Sequence, residues 1–160
     1  MTINQALTLA RKLMSNHKEL KNWSVTHNNR KRAFGVCRYN KRQIELSALL
    51  VPAMTEDAIR DTIIHEIAHA LTPGHNHNRV WKMKCIELGG DGQRCGGANK
   101  YKDGAVGQAT IQQSLAKYTL TCPVCGEAYH KNRKPTRSHS CGKHGKGYRP
   151  EYKLILTQNY

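Results

Sequence analysis

The stretch HEIAHALTPGHNHNRVW, residues 65–81, contains four of the chain's nine histidines. Its first five residues match the pattern HExxH. Helix positions i and i+4 lie on the same face one turn apart, so His65 and His69 can bind one metal ion together. Glu66 lies off that face, but its carboxylate can reach a water activated by the metal and act as a general base. The stretch therefore predicts a catalytic metal site.

The flanking sequence predicts that this motif lies in a helix. Thr55 is a suitable N-cap, two acidic residues follow it at the positive end of the helix dipole, and Pro73-Gly74 ends the segment. A further helix is predicted from Arg79 to Leu88, because Gly89 and Gly90 follow it. The two predicted helices are therefore separated by a short segment that contains the other two histidines of this stretch, His75 and His77.

That short segment contains two candidates for a third metal ligand. A catalytic zinc ion takes three protein ligands and keeps a fourth position open. Because the helix ends at Pro73-Gly74, the chain can turn back and present either His75 or His77. His75 has the spacing of the pattern HExxHxxGxxH, but Thr72 stands where that pattern has glycine. On the residues alone, both histidines remain candidates.

A second metal motif is formed by CPVCG and CGKHG near the C-terminal end of the sequence. Two C-x2-C/H pairs separated by fifteen residues supply four ligands for a closed tetrahedral zinc site. No position is left open, so this zinc is predicted to be structural and to replace a hydrophobic core that so short a module cannot build. His139 competes with the last of the four ligands, but it would form a cramped chelate with the cysteine two residues later. The predicted ligands are Cys122, Cys125, Cys141 and His144.

The rest of the chain predicts an α+β fold. Apolar residues at helical spacing predict a first helix over residues 3–16. Three short strands follow, NWSVTHN, RAFGVCRY and RQIELSALL, and their short connections predict an antiparallel meander. The glycine-rich stretch from Gly89 to about Gln113 has no periodicity and is predicted to be a loop.

The net charge of +15 predicts a polyanionic partner, most simply nucleic acid. Leu115–Tyr160 carries nine Lys and Arg against two Asp and Glu. Four basic residues between CPVCG and CGKHG are predicted to contact phosphates. Tyr129 or Tyr148 is predicted to stack on an unpaired base. We expect binding that is salt-sensitive and has no strong sequence preference. The predicted contacts are Lys131, Arg133, Lys134 and Arg137, and a second basic cluster comprises Arg30, Lys31, Arg32, Arg38, Lys41 and Arg42.

The expected location is the cytoplasm. No apolar run approaches the length that spans a membrane, and the N-terminus lacks the features of a secretion signal. In a reducing compartment, six cysteines indicate metal binding or free thiols rather than disulfides.

The segment HEIAHAL…GHNHNRVW resembles the SprT-like metalloproteases, whose eukaryotic members are called Spartan. In that family the third zinc ligand is the histidine of an H-x-x-x-aromatic segment, which here implies His77 followed by Trp81. Glycine often follows that histidine, where this chain has Asn78. Many relatives also carry a C-terminal zinc ribbon with a fourth cysteine, where this chain has His144.

The resemblance implies a zincin-like metalloprotease domain over residues 1–113 and a zinc ribbon over residues 114–160. It implies two zinc ions, one catalytic and one structural, and cleavage of proteins bound or crosslinked to DNA, single-stranded DNA included. The implied location is the nucleoid, or the host cytoplasm for a viral protein. The zinc-activated water would hydrolyse the peptide bond, with Glu66 as the general base.

Two other functions fit the same motifs. One is a non-catalytic, zinc-containing nucleic-acid-binding or regulatory protein, in which replacing Glu66 would leave function intact. The other is a hydrolase of small peptides, whose rate would not depend on DNA.

Overall fold

The computed structural model describes residues 1–94 and 98–160, with only the backbone of residues 98, 105 and 106. Cys95 lies outside the described residues. The chain divides into two compact units, Met1–Gln108 and Ala109–Tyr160. The helices are α1 (Ile3–Met14), α2 (Glu56–Leu71), α3 (Arg79–Glu87) and α4 (Gly104–Ser114), and the strands are β1 (Ser24–Asn28), β2 (Gly35–Arg38), β3 (Gln43–Ser47), β4 (Tyr118–Thr121), β5 (Ala128–Lys131) and β6 (Ile155–Gln158).

The first unit is α+β, with a core between its helices and a three-stranded sheet. α1 starts at a capping box formed by Thr2 and Gln5, and packs on α2 and β1. The buried side of α2 faces the sheet through apolar residues such as Ile59, Ile63 and Ile67, each about 1% exposed or less. This arrangement fixes α2 in the centre of the unit, so that the residues of the HExxH pattern are held by a rigid element.

The predicted antiparallel meander is wrong in its strand order. The order is β1-β3-β2, with β3 parallel to β1 and antiparallel to β2. The reason is burial: four of the five residues of β3 are buried, whereas all of β2 is half-buried. A strand buried to this degree needs a neighbour on each side, so β3 takes the central position and β2 becomes an edge of the sheet.

The prediction of a loop over residues 89–113 is also wrong in part, because α4 occupies Gly104–Ser114. Most of the glycines in this stretch precede the helix, and Gly104 at its start has a left-handed φ of 55°. From Ala105 onward the sequence is rich in alanine and glutamine, which favour helix. The high glycine content averaged over residues 89–113 predicted a loop, because it did not separate the glycine-rich first part from the helix-favouring second part.

The second unit contains a three-stranded antiparallel sheet of order β5-β4-β6. β4 ends directly before Cys122, the first cysteine of CPVCG. Leu120 of β4 is buried, as are Cys122 and Cys141. Within the described residues, no helix has both the length and the apolar character needed to cross a membrane.

Candidate metal centres

α2 positions the first two histidines and the glutamate. Its N-cap is Thr55, whose hydroxyl accepts a hydrogen bond from the Ala58 backbone N–H at 3.2 Å. His65 and His69, four residues apart, point to the same side of the helix, with ring centroids 4.9 Å apart. The helix boundaries and the N-cap agree with the sequence prediction.

The turn after α2 brings the third histidine to the first two. Thr72 closes the helix with a hydrogen bond from its hydroxyl to the Ala68 carbonyl at 2.7 Å. His77 then adopts a left-handed φ of 49°. Its Nε2 atom lies 3.0 Å from the Nε2 atoms of both His65 and His69. Three imidazole nitrogens therefore converge on one point.

Asn78 explains why His77 joins this cluster and His75 does not. Its side-chain oxygen caps α3 by accepting hydrogen bonds from the backbone N–H groups of Val80 and Trp81 at 3.0 and 3.3 Å. Its Nδ2 lies 3.0 Å from Nδ1 of His75, which is exposed. The residue at which the chain departs from the family pattern is thus an N-cap, a role that asparagine fills well.

Trp81 forms one wall of the histidine cluster. It is only 1% exposed, and its ring centroid lies 4.6 Å from those of His65 and His77 and 5.2 Å from that of His69. Its Nε1 is buried and forms no hydrogen bond in the described part of the chain. Trp81 therefore packs against all three imidazole rings.

Glu66 lies against the edge of the sheet, 6% exposed. A Cβ added to Gly35 would come within 2.8 Å of Oε1 of Glu66, so β2 approaches the carboxylate this closely only because position 35 is glycine. Burial raises the pKa of Glu66 to about 8, although a hydrogen bond from the Cys37 backbone N–H acts in the opposite direction. A carboxyl group with such a pKa can accept and return a proton near neutral pH.

The protonation of the histidines suits metal binding. Burial, and next the charges of neighbouring imidazoles, lower the pKa of His65 and of His69 to about 4. The pKa of His77 is lowered by burial and by the positive charge of Arg94. Neutral imidazoles keep a lone pair for a cation. Where their tautomers leave the Nε2 lone pairs free, the three rings can bind one positive ion together.

A second layer of contacts orients His65. Its ring donates a hydrogen bond to the backbone carbonyl of Gln93. Because Nε2 of this ring faces His77, the donor is Nδ1, which is the arrangement that metal-binding histidines commonly show. The segment around Gln93 is itself held to α2, since the Asp91 backbone N–H donates to Asp61 at 2.8 Å. Lys100 forms ion pairs with both of these aspartates.

The geometry of the histidine cluster fits zinc. Zinc binds imidazole nitrogen at about 2.0–2.1 Å with tetrahedral angles, which separates the nitrogens by roughly 3.4 Å. The observed separation of 3.0 Å for two of the pairs is close to this value. Three protein ligands would leave the fourth position of a tetrahedral zinc for water or substrate.

The four predicted ligands of the second motif also come together. One ligand atom from each of Cys122, Cys125, Cys141 and His144 lies within 4.8 Å of all the others. The Sγ atoms of Cys125 and Cys141 are 3.7 Å apart, close to the roughly 3.8 Å expected for thiolates on one tetrahedral zinc. Nε2 of His144 is buried and forms no hydrogen bond in the described part of the chain. An orphaned ring nitrogen beside three cysteines fits a metal ligand.

Neighbouring tyrosines support this second cluster. The ring of Tyr152 stacks on that of His144, with centroids 4.1 Å apart. The hydroxyl of Tyr129 lies 3.5 Å from Sγ of Cys141. His139, the competing ligand in the sequence, is exposed and does not belong to the cluster.

Comparison with known proteins bears on the first unit. A family model described as the SprT-like family matches residues 3–101, well over half of the chain. The chain belongs to the SprT-like family. No curated protein and no solved structure matches it.

The SprT-like match spans α1 to α3, and therefore contains Glu66 and the three clustered histidines. It ends before the four residues of the cysteine cluster, which the family match does not describe. The four basic residues expected to contact nucleic acid also lie beyond the match. Lys131, Arg133, Lys134 and Arg137 are all exposed.

Several groups around the SprT-like site were not foreseen from the sequence. Gly35, the Gln93 carbonyl and Lys100 act on the site from distant segments of the chain. Tyr39 is another, since its hydroxyl donates to the His69 backbone carbonyl at 2.9 Å. A weak signal existed only for Gly35, a glycine within a predicted strand, which is typical of close backbone approach.

Proposed function

We propose that the chain is a zinc-dependent metalloendopeptidase that cleaves proteins bound or crosslinked to DNA. The observation that carries the proposal is the convergence of Nε2 atoms from His65, His69 and His77 beside the buried carboxylate of Glu66. Membership of the SprT-like family supports it. The three histidines would hold the catalytic zinc, within a zincin-like domain that extends to about residue 113.

Glu66 would carry the proton transfers. When bound, zinc supplies a Lewis acid that polarises the scissile carbonyl and makes a water a better nucleophile. Glu66 takes the proton from the attacking water and then gives it to the amine that leaves. The Cys37 N–H and the close approach of Gly35 hold the carboxylate in place for both transfers.

We propose that β2 aligns the peptide. It is an edge strand, hydrogen-bonded to β3 alone among the described strands. An extended peptide can pair with a free strand edge through main-chain hydrogen bonds, whatever its sequence. Because Glu66 lies against this strand, such a peptide would pass the catalytic carboxylate. This arrangement supports cleavage of protein chains in extended form.

The second unit would bring the enzyme to DNA. We propose that it is a zinc ribbon in which Cys122, Cys125, Cys141 and His144 hold a structural zinc. Lys131, Arg133, Lys134 and Arg137 would then contact phosphates without reading bases, because charged side chains on phosphate carry no sequence information.

The test is proteolysis of a DNA-binding protein, with and without DNA, by wild type and by Glu66→Gln. We expect wild type to cut only with DNA and Glu66→Gln to lose at least 100-fold in rate, since general-base catalysis contributes about 10²–10⁴-fold. Glu87→Gln, on the exposed side of α3, is the matched control and should cut normally.

Two outcomes separate the alternatives. Binding of DNA with no cleavage by any form would identify a non-catalytic nucleic-acid-binding protein. Cleavage of short peptides at a rate that DNA does not change would identify a hydrolase of small peptides.

A further inference from the structure

A cavity of about 260 Å³ opens beside Glu66. His65 and Glu66 line it on one side, and Ala33, Phe34 and Gly35 line it where the chain enters β2. Its volume equals that of roughly nine water molecules at about 30 Å³ each. A group bound here would therefore be the size of one amino-acid side chain with a few waters, adjacent to the catalytic carboxylate.

The cavity has an excess of positive charge. Arg32, Arg94 and Lys100 all line it. Lys100 is neutralised by its ion pairs with Asp61 and Asp91. Arg32 and Arg94 are exposed, and within the described part of the chain neither forms an ion pair with a carboxylate. The guanidinium groups of Arg32 and Arg94 are thus available to bind an anionic ligand.

Arg94 also lies near the histidine cluster, because it lines the same cavity as His65. Arg32 lines the cavity from the segment that leads into β2, three residues before Gly35. Both arginines therefore line the same cavity as Glu66, next to which the scissile bond of a peptide on β2 would lie. A ligand between them would be part of the substrate.

We propose that Arg32 and Arg94 form a subsite for an aspartate or glutamate side chain of the substrate, next to the scissile bond. The proposal rests on the protease function proposed above. A guanidinium binds carboxylate through two parallel hydrogen bonds, a geometry that lysine does not offer. A DNA phosphate is the less favourable occupant. A phosphodiester carries a sugar on each side, and a cavity of side-chain size beside Glu66 has no room for both sugars.

The first experiment maps cleavage sites in a peptide library by mass spectrometry. Wild type should cut preferentially where an acidic residue stands at one fixed position from the scissile bond. Arg32→Gln and Arg94→Gln should each reduce that preference about tenfold, the change expected for one charge-assisted hydrogen bond. Arg94→Glu should shift the preference toward Lys and Arg. Arg11→Gln, an exposed change on α1, is the control and should leave the preference intact.

A uniform loss of rate for all peptides in the arginine variants would overturn the proposal, because it would place the arginines in the chemistry rather than in recognition. Cleavage by wild type without any acidic preference would overturn it too, while leaving the protease function intact.

The second experiment measures binding without turnover. Zinc-loaded Glu66→Gln is titrated with a fluorescent peptide containing glutamate and with its glutamine counterpart. We expect about tenfold tighter binding of the glutamate peptide, abolished when Arg32→Gln and Arg94→Gln are added. This result would stand even if wild type cut nothing, so failure of the protease function and failure of the subsite remain distinguishable.

Retention of the glutamate preference in the arginine variants would overturn the proposal, since the carboxylate would then bind the metal. A short single-stranded oligonucleotide that loses affinity in these variants, with no change for the acidic peptide, would assign the arginines to DNA instead.

Discussion

His77 combines a strained backbone with a position in the histidine cluster. Its φ of 49° is one of two positive values outside glycine among the described residues, and a left-handed residue with a side chain costs about 1–2 kcal/mol. Strain of this kind persists where the surrounding structure enforces it, commonly at functional sites. Here Thr72 fixes the start of the turn and Asn78 fixes its end.

Replacement of His77 by asparagine should separate stability from zinc binding. Asparagine tolerates the left-handed region, so the free energy of unfolding without metal should stay within about 1 kcal/mol of wild type. The variant should contain one zinc per chain fewer than wild type, measured by elemental analysis. His75→Asn is the matched control and should keep the full zinc content. A His77→Asn protein with undiminished zinc would contradict the assignment of this ligand.

The residues of the site differ in how far the sequence could place them. His65, Glu66 and His69 follow from helix geometry alone, since their relations are local. The choice between His75 and His77 depends on a left-handed turn that no propensity encodes, and only the family resemblance favoured His77. Gly35 and the Gln93 carbonyl reach the site through tertiary packing, which the sequence does not display.

Glu45 shows how the elements of the first sheet are held together. It lies on the central strand β3, and its carboxylate accepts hydrogen bonds from Asn28 of β1 at 2.9 Å and from Arg38 of β2 at 3.0 Å. Burial alone would raise its pKa, but these two hydrogen bonds and the charge of Arg38 lower it. A buried acidic residue thus links three strands in the order β1-β3-β2.

This link explains why the strand order was predicted incorrectly. The segments that form the strands were recognised from local patterns, and short connections normally pair consecutive strands. A glutamate within a strand would be expected to face solvent. Its partners here come from positions 7 and 17 residues away, so its burial, and with it the central position of β3, depends on contacts that local patterns do not contain.

Glu45→Gln should reduce the free energy of unfolding by about 1–2 kcal/mol at neutral pH, the contribution of hydrogen bonds to a charged group. The folded-state pKa of Glu45 is lowered from 4.5, so the stabilisation is fully present above that value and is lost as pH falls through the lower, folded pKa. Urea unfolding of wild type and variant from pH 7 to pH 3 measures this difference. Glu19→Gln, an exposed change, is the control, and a gap that persists unchanged at pH 3 would contradict the role of the charge.

At the scale of the whole molecule, charge and chemistry are divided between the two units. The histidine cluster and Glu66 belong to the first unit, whereas Leu115–Tyr160 contributes nearly half of the net charge of +15 in less than a third of the chain. Such a concentration of charge attracts a polyanion to one part of the molecule. If the proposed function holds, attachment to DNA and catalysis should be open to separate alteration.

A variant with four glutamines in the second unit should therefore bind DNA more weakly than a variant with the same loss of charge elsewhere in the chain. The four replaced residues are Lys131, Arg133, Lys134 and Arg137. For single-stranded DNA, the slope of log K against log salt should become shallower by about 0.7 for each phosphate that the variant no longer binds, and by roughly 3 if all four residues bind phosphate. Fluorescence anisotropy between 50 and about 300 mM salt measures the slope. The matched control replaces four exposed cations of α1 and the following turn, Arg11, Lys12, Lys18 and Lys21. Equal weakening in the two variants would show that total charge, rather than the second unit, determines binding, since a localised interface is weakened only by changes to residues that touch DNA.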